Sequence, residues 1–68
     1  MEVARTLIQF KKDKSEYYII LHVQGFEFGG DTYTPVSDKI VLCSIPEDKL
    51  EENIKYYSLW NHDIEVSE

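Results

Sequence analysis

The sequence predicts an α+β domain: an antiparallel sheet of three or four strands, arranged as a meander, with one C-terminal helix packed on one face. Three observations favour this fold. Residues that favour strands recur with a period of two over the first part of the chain, and a Gly-Gly pair separates two such segments. An apolar stripe at helical spacing follows Pro46. Residues 1–68 are expected to form a single domain, because a chain of 8.0 kDa has room for one small core.

The first two predicted strands form a hairpin. Glu2 to Lys11 reads as a strand with apolar residues on both faces, so the pattern alone leaves its inward face open. Residues 12–15 are polar and charged, which is typical of a hairpin loop. Glu16 to Gln24 is the strongest strand, rich in Tyr, Ile and Val, and Gly25 then interrupts the alternation as a bulge or bend would.

A short ribbon is predicted next. Gly29-Gly30 is a dipeptide that a two-residue turn prefers, because its central residues need positive φ. Such a turn would bring residues 32–34 back along residues 26–28. Pro35 has no amide hydrogen, so the returning segment is expected to be an edge strand or a loop.

A further turn is expected over residues 36–38, followed by a buried strand from Lys39 to Ser44. That strand contains the single cysteine, Cys43, in an apolar run where a free thiol behaves as a small buried hydrophobe. One cysteine cannot form an intramolecular disulfide, which favours a reducing, cytoplasmic compartment. The sequence has neither the apolar run of a secretory signal nor the roughly 18 apolar residues of a membrane helix.

The helix is predicted to begin at Ser44, which has capping-box spacing to Glu47. Its apolar stripe recurs at i, i+4 and i+7 and consists of Leu50, Ile54 and Tyr57. The stripe breaks beyond this point, so the helix should end near residue 57 or 58. Residues 61–63 are expected to form a turn and residues 64–66 a short last strand.

Negative charge is concentrated in the C-terminal third of the chain. The formal net charge is −6, and residues 44–68 account for −5 of it. This field repels phosphate backbones and anionic lipid, so we expect no direct nucleic-acid partner and no membrane partner. A basic protein partner is favoured, because an acidic face accelerates encounter with a positive one.

Few residues of the sequence are suited to metal binding or catalysis. The candidate metal ligands lack the paired short spacing of a zinc site; they are His22, Cys43, His62 and Asp63. No base lies near the thiol in sequence, and the carboxylate pairs of the helix are expected to be exposed. The glycines fit no phosphate-binding loop. We therefore predict no metal, no cofactor and no enzymatic activity.

The segment Gln24 to Phe28 resembles the aromatic strand motif of RNA-recognition domains, in which a basic residue and a glycine precede alternating aromatics. The resemblance covers five residues. Gln24 replaces the basic residue, and Glu27 places an anion where a phosphate would approach. We therefore interpret Phe26 and Phe28 as core residues.

Two sets of side chains are the candidate partner-binding residues. The first crowds the start of the helix, mostly away from its apolar stripe, and consists of Glu47, Asp48, Glu51 and Glu52. The helix macrodipole alone stabilises anions there, but like charges at i and i+4 repel, so the cluster also fits a face for a cationic partner. The second set is aromatic and contains Tyr33 and Trp60, with Tyr56 beside them. For Trp60 the alternative is that the ring folds back onto the core.

These features predict a small acidic protein–protein interaction module, a regulator or inhibitor that occupies a basic surface of its partner. If that surface binds nucleic acid, carboxylates at phosphate-like spacing would make the module a nucleic-acid mimic, as a phage protein directed against a host defence could be. The alternative is a self-assembling structural module, a homo-oligomer that uses an edge strand and exposed aromatic side chains.

Overall fold

A computed structural model describes residues 2–60 and 63–68. Its four strands are β1 (Glu2–Asp13), β2 (Glu16–Gly29), β3 (Thr32–Pro46) and β4 (Asp63–Ser67), in the sheet order β3-β2-β1-β4. A 3-10 turn, Glu47–Lys49, leads into the helix α1, Leu50–Ser58. The predicted α+β class, with one C-terminal helix on one face of the sheet, is confirmed.

The sheet is a meander extended by one parallel strand. β1 pairs with β2 and β2 with β3 in antiparallel fashion, as predicted. β4 joins the other side of β1 and runs parallel to it, from Leu7↔Asp63 to Lys11↔Ser67. The parallel direction follows from the connection, because the helix carries the chain back from the end of β3 before β4 begins.

Both hairpin turns are two residues long; the first lies within the loop predicted over residues 12–15, and the second begins one residue after the predicted one. The first consists of Lys14 and Ser15, with φ 58° at Lys14. The second consists of Gly30 and Asp31 rather than Gly29-Gly30, because Gly29 still pairs with Thr32. Gly30 supplies the positive φ, 63°, that a tight turn requires.

The turn predicted over residues 36–38 is wrong. β3 continues through this segment, with Val36 opposite Gly25 and Asp38 opposite Val23. The predicted ribbon is therefore the tip of one long hairpin, which projects beyond Glu2 of β1, and we call residues 26–35 the arm. Pro35 does lie on an edge strand, as its missing amide hydrogen predicted.

Two irregularities interrupt the strand pairing. Between Val3↔Gly25 and Arg5↔Gln24, β1 contains one extra residue. This is the irregularity predicted at Gly25, with the extra residue on the neighbouring strand. A second lies in β3, where Leu42 is the extra residue between the partners of Ile19 and Ile20. Such a bulge bends its strand and re-aims the side chains around it.

The core lies between the sheet and the helix, at the end of the molecule opposite the arm. Its fully enclosed side chains come from β1 and β2 and are Ile8, Phe10, Tyr17 and Ile19. The predicted helical stripe packs on them and is confirmed: Leu50, Ile54 and Tyr57. The Phe10 and Tyr57 rings meet edge to face, with centroids 6.0 Å apart.

The helix begins later than predicted. Ser44 lies in β3 opposite Tyr18, and neither the 3-10 turn nor α1 has a side-chain cap. The Glu47 amide instead donates a backbone hydrogen bond of 3.1 Å to the Ser15 carbonyl, which joins the first hairpin turn to the helix start. The end of the helix at Ser58 is confirmed.

The last strand is confirmed and is slightly longer than predicted, from Asp63 to Ser67. Of the turn predicted over residues 61–63, the first two residues lie outside the described residues, and Asp63 begins β4. Within residues 2–60 and 63–68, no helix has the length and apolar character needed to cross a membrane.

The strand predicted to be buried around Cys43 is exposed. Its four apolar residues are Ile40, Val41, Leu42 and Cys43, and each is open to solvent. The prediction was wrong because a run of apolar residues does not show whether its strand is central or at an edge. β3 is an edge strand, and the helix packs mainly on side chains of β1 and β2.

Candidate interaction surfaces

The four acidic residues at the helix start are all exposed: Glu47, Asp48, Glu51 and Glu52. Lys12 Nζ lies 3.1 Å from Glu47 Oε1, and this hydrogen bond, with the charge of Glu47, raises the pKa of Lys12. Lys49 Nζ lies 3.8 Å from Glu52 Oε2. In the described part of the chain, Asp48 and Glu51 form no ion pair. Two carboxylates of the cluster are thus open to a partner.

Aromatic side chains occupy the C-terminal end of α1, where Tyr56 lies in the last turn and Trp60 two residues beyond the helix. The Tyr56 and Trp60 rings lie 6.3 Å apart, and Trp60 is 61% exposed. Leu59 beside them is 81% exposed. Trp60 therefore does not fold back onto the core. We call these seven residues the helix surface: Glu47, Asp48, Glu51, Glu52, Tyr56, Leu59 and Trp60.

Tyr33 belongs to a different cluster, on the arm. Its ring centroid lies 4.2 Å from that of Phe28 and 6.0 Å from that of Phe26. Phe28 and Tyr33 are 60% and 62% exposed, and Phe26 is also exposed. The interpretation of Phe26 and Phe28 as core residues is wrong, because the arm extends past the helix and none of the described residues forms a layer over it.

The sequence-predicted partner-binding residues thus form two surfaces. Tyr33 lies beside the turn of the second hairpin, whereas the helix follows Pro46, which pairs with Glu16 at the far end of β2. The twelve residue steps from Phe28 to Glu16 span about 40 Å of strand, in a molecule 49 Å long. One small partner site cannot include both Tyr33 and the acidic helix start.

A polar network that the sequence did not predict lies on the sheet face opposite the helix. His22 Nε2 donates to Gln9 Oε1 at 2.7 Å, since an amide oxygen can only accept. Gln9 Nε2 donates to Ser67 Oγ at 3.2 Å, so the network joins β2, β1 and β4. Pairing register decides which strand residues meet, and no local signal in the sequence reveals it.

Groups suited to metal binding do not converge in the described residues. No three His, Cys, Asp or Glu side chains there are placed to hold a metal ion, and His62 lies outside those residues. An open depression of about 410 Å³ lies near the β1 irregularity, where Arg5, Gln24 and Phe26 are among the lining residues. Arg5 is occupied there by Asp63, at 3.1 Å.

The chain matches no protein-family model, no curated protein and no solved structure.

Proposed function

We propose that this chain is an acidic protein-binding module that occupies a basic surface of a partner protein through its helix surface. One observation carries the proposal: four exposed carboxylates and an exposed Tyr-Trp pair lie on one continuous stretch of chain, from the 3-10 turn through α1 to the turn that follows it. Residues 47–60 span only about 20 Å, so one partner surface can contact both ends.

The two ends of the helix surface have complementary roles in binding. The carboxylates attract a positively charged partner over long range and raise the rate of encounter. Tyr56 and Trp60 supply apolar area and polar tips at little entropic cost, which is why these residue types dominate the energetics of interfaces.

The ion pairs within the acidic cluster leave it available for binding. The pairs of Glu47 with Lys12 and of Glu52 with Lys49 are solvent-exposed, and exposed pairs contribute little to stability. A partner arginine can replace either lysine, because its planar guanidinium binds a carboxylate through two parallel hydrogen bonds.

In this proposal the module acts as a regulator or inhibitor and performs no reaction of its own. Where the basic surface of the partner binds nucleic acid, the helix surface excludes that ligand by occupying its site. We place this action in the cytoplasm, where the lone exposed thiol of Cys43 stays reduced.

The test is affinity capture of a basic protein from a cell lysate by the immobilised chain, repeated at rising salt and with the purified partner. We expect capture to weaken steadily with salt and to be lost in the double variant Glu51→Lys/Glu52→Lys. The matched control is Glu27→Lys/Glu65→Lys, which changes the net charge equally on the arm and on β4, where both side chains are exposed. We expect the control to retain most of the capture.

Three outcomes separate the proposal from its alternatives. Binding that is indifferent to salt contradicts it. Equal loss in the two double variants shows that net charge, rather than the helix surface, determines capture. Displacement of the partner by duplex DNA supports a nucleic-acid-binding surface, and its failure removes that part of the proposal.

A further inference from the structure

We propose that the free edge of β3 pairs with β3 of a second copy, antiparallel about a twofold axis, to form a dimer with a continuous eight-stranded sheet. β3 is fifteen residues long and, among the strands of residues 2–60 and 63–68, pairs with β2 alone. We call its four consecutive exposed apolar residues the apolar edge: Ile40, Val41, Leu42 and Cys43.

The chemistry of this edge calls for a strand as its occupant. Backbone N–H and C=O groups alternate along a free edge, and another extended chain matches them. Val41 is 57% exposed, and Ile40 and Leu42 are exposed to nearly the same extent. Only six apolar side chains are buried in the described part of the chain, so even partial cover of these three by the side chains of a neighbouring strand would add to the apolar surface removed from water.

The distribution of charge favours a second copy over a basic partner. β3 carries one acid and one base, Asp38 and Lys39, and is neutral, whereas residues 44–68 carry −5. A neutral edge does not attract a cationic protein. It does allow two acidic molecules to approach, provided that their acidic regions stay apart.

Antiparallel pairing through β3 keeps those regions apart. The two β4 strands would be the outer edges of the eight-stranded sheet, seven strand spacings or about 34 Å from one another. With the axis at Ile40, the Glu47 residues of the two copies would lie about 46 Å apart along the strands. Both distances exceed the screening length of about 8 Å at physiological salt several-fold.

The same charges exclude two registers. A twofold axis at Asp38 or at Lys39 would place like charges opposite each other, which destabilises strand pairing. An axis at Ile40 places Ile40 opposite its own copy and Lys39 opposite Val41, so that the lysine stem packs on an apolar side chain.

The same geometry limits the assembly to two copies. About an axis at Ile40, residues 39–41 pair regularly, and the irregularity at Leu42, which faces Asp38 of the second copy, ends the regular ladder on both sides. A twofold contact uses the same edge of both copies and leaves only β4 free. β4 has five residues, and Asp63 and Glu65 repel a second β4 edge.

The first test is the mass of the intact chain in solution, measured by light scattering over a range of concentrations. We expect about twice 8.0 kDa at high concentration and dissociation on dilution. Val41→Lys should abolish the dimer by placing a charge in the interface. The matched control is Leu59→Lys at the more exposed residue of the two, which should leave the dimer intact. Circular dichroism confirms that both variants fold.

The second test uses Cys43, the single cysteine, as the site for a nitroxide spin label. Pairing about Ile40 places the two Cys43 positions within about 20 Å, whereas association through the arms would separate them by about 60 Å or more. Four results would each overturn the proposal. They are a monomer at every concentration, a dimer that survives Val41→Lys, a Leu59→Lys variant that dissociates as readily as Val41→Lys, and the long distance between the two labels.

These results do not depend on the proposed function. Raising the salt concentration should leave the dimer unchanged or strengthen it by screening the repulsion between two acidic copies. The same change should weaken binding of a basic partner to the helix surface, so failure of one proposal is visible separately from failure of the other.

Discussion

The two ends of the sheet carry similar residues in different surroundings. At the helix-covered end, Phe10 and Tyr17 are almost completely buried beneath α1. On the arm, Phe28 and Tyr33 pack on each other and remain mostly exposed. Both pairs lie on long strands that alternate in the same way. The comparison shows that a second layer, rather than the pattern of the strand, determines which aromatic residues become core.

Because of this difference, one end of the sheet stabilises the fold and the other end offers side chains that a partner can reach. The covered end removes apolar area from water and therefore supplies most of the favourable free energy of folding. The arm has the weakly covered hydrogen bonds and few buried contacts that accompany local opening at low free energy. A partner can reach its side chains without disturbing the core.

The largest expected effect contrasts two phenylalanines. Phe10→Ala should lower the free energy of unfolding by about 3–5 kcal/mol, because it leaves a cavity beneath the helix. Phe28→Ala should lower it by less than about 1 kcal/mol, because the ring is already largely in water. Urea denaturation followed by circular dichroism measures both. Equal losses would mean that the arm is part of the cooperative core.

A second contrast tests the covering layer itself. Ile54→Ala on the inner face of α1 should cost about 2–3 kcal/mol and reduce the helical signal, because the stripe holds the helix on the sheet. Tyr56→Ala on the outer face should cost about 0.5 kcal/mol. The same denaturation series checks both variants. A helix that persists unchanged in Ile54→Ala would show that packing on the sheet does not hold it in place.

The sequence could predict the features that depend on local chemistry. The stripe of Leu50, Ile54 and Tyr57 follows from helical spacing, and the edge position of Pro35 follows from its missing amide hydrogen. Both are confirmed because each rests on a property of the residues themselves.

The predictions that were wrong concern features that depend on residues distant in sequence. Cys43 and Phe28 look like core residues in a linear pattern, but exposure depends on where the helix lands and on how far β1 extends along β2. Ser44 and Glu47 have capping-box spacing, yet Ser44 pairs with Tyr18 in the strand. The acidic helix start was correctly predicted to be exposed, but the separation of Tyr33 from it required the pairing register.

A third prediction, with a smaller expected effect, compares substitutions at two adjacent glycines of the arm. Gly30→Ala should destabilise the arm by about 1 kcal/mol, because an alanine is strained at φ 63°. Gly29→Ala is the matched control: neither site has an atom within 4 Å of the added methyl, and Gly29 lacks the positive φ. Amide hydrogen exchange should quicken on the arm in Gly30→Ala alone. Faster exchange throughout the sheet would contradict the independence of the two ends.

The smallest effect concerns alkaline pH at the covered end. Burial raises the pKa of Tyr57 above its ordinary value of 10.0, and Glu47 raises that of Lys12 above 10.5. In both cases the folded protein favours the protonated form. The resulting stability is present below about pH 10 and declines as the pH rises through the folded-state pKa values.

Tyr57→Phe removes the tyrosine contribution, so the decline in urea midpoint between about pH 8 and about pH 11 should be shallower in the variant. Tyr33→Phe on the exposed arm is the control, and it should leave the decline as steep as in the unmodified chain. An equally steep decline in Tyr57→Phe would show that the Tyr57 hydroxyl ionises as readily as one in water, and that packing of the helix on the sheet does not raise its pKa.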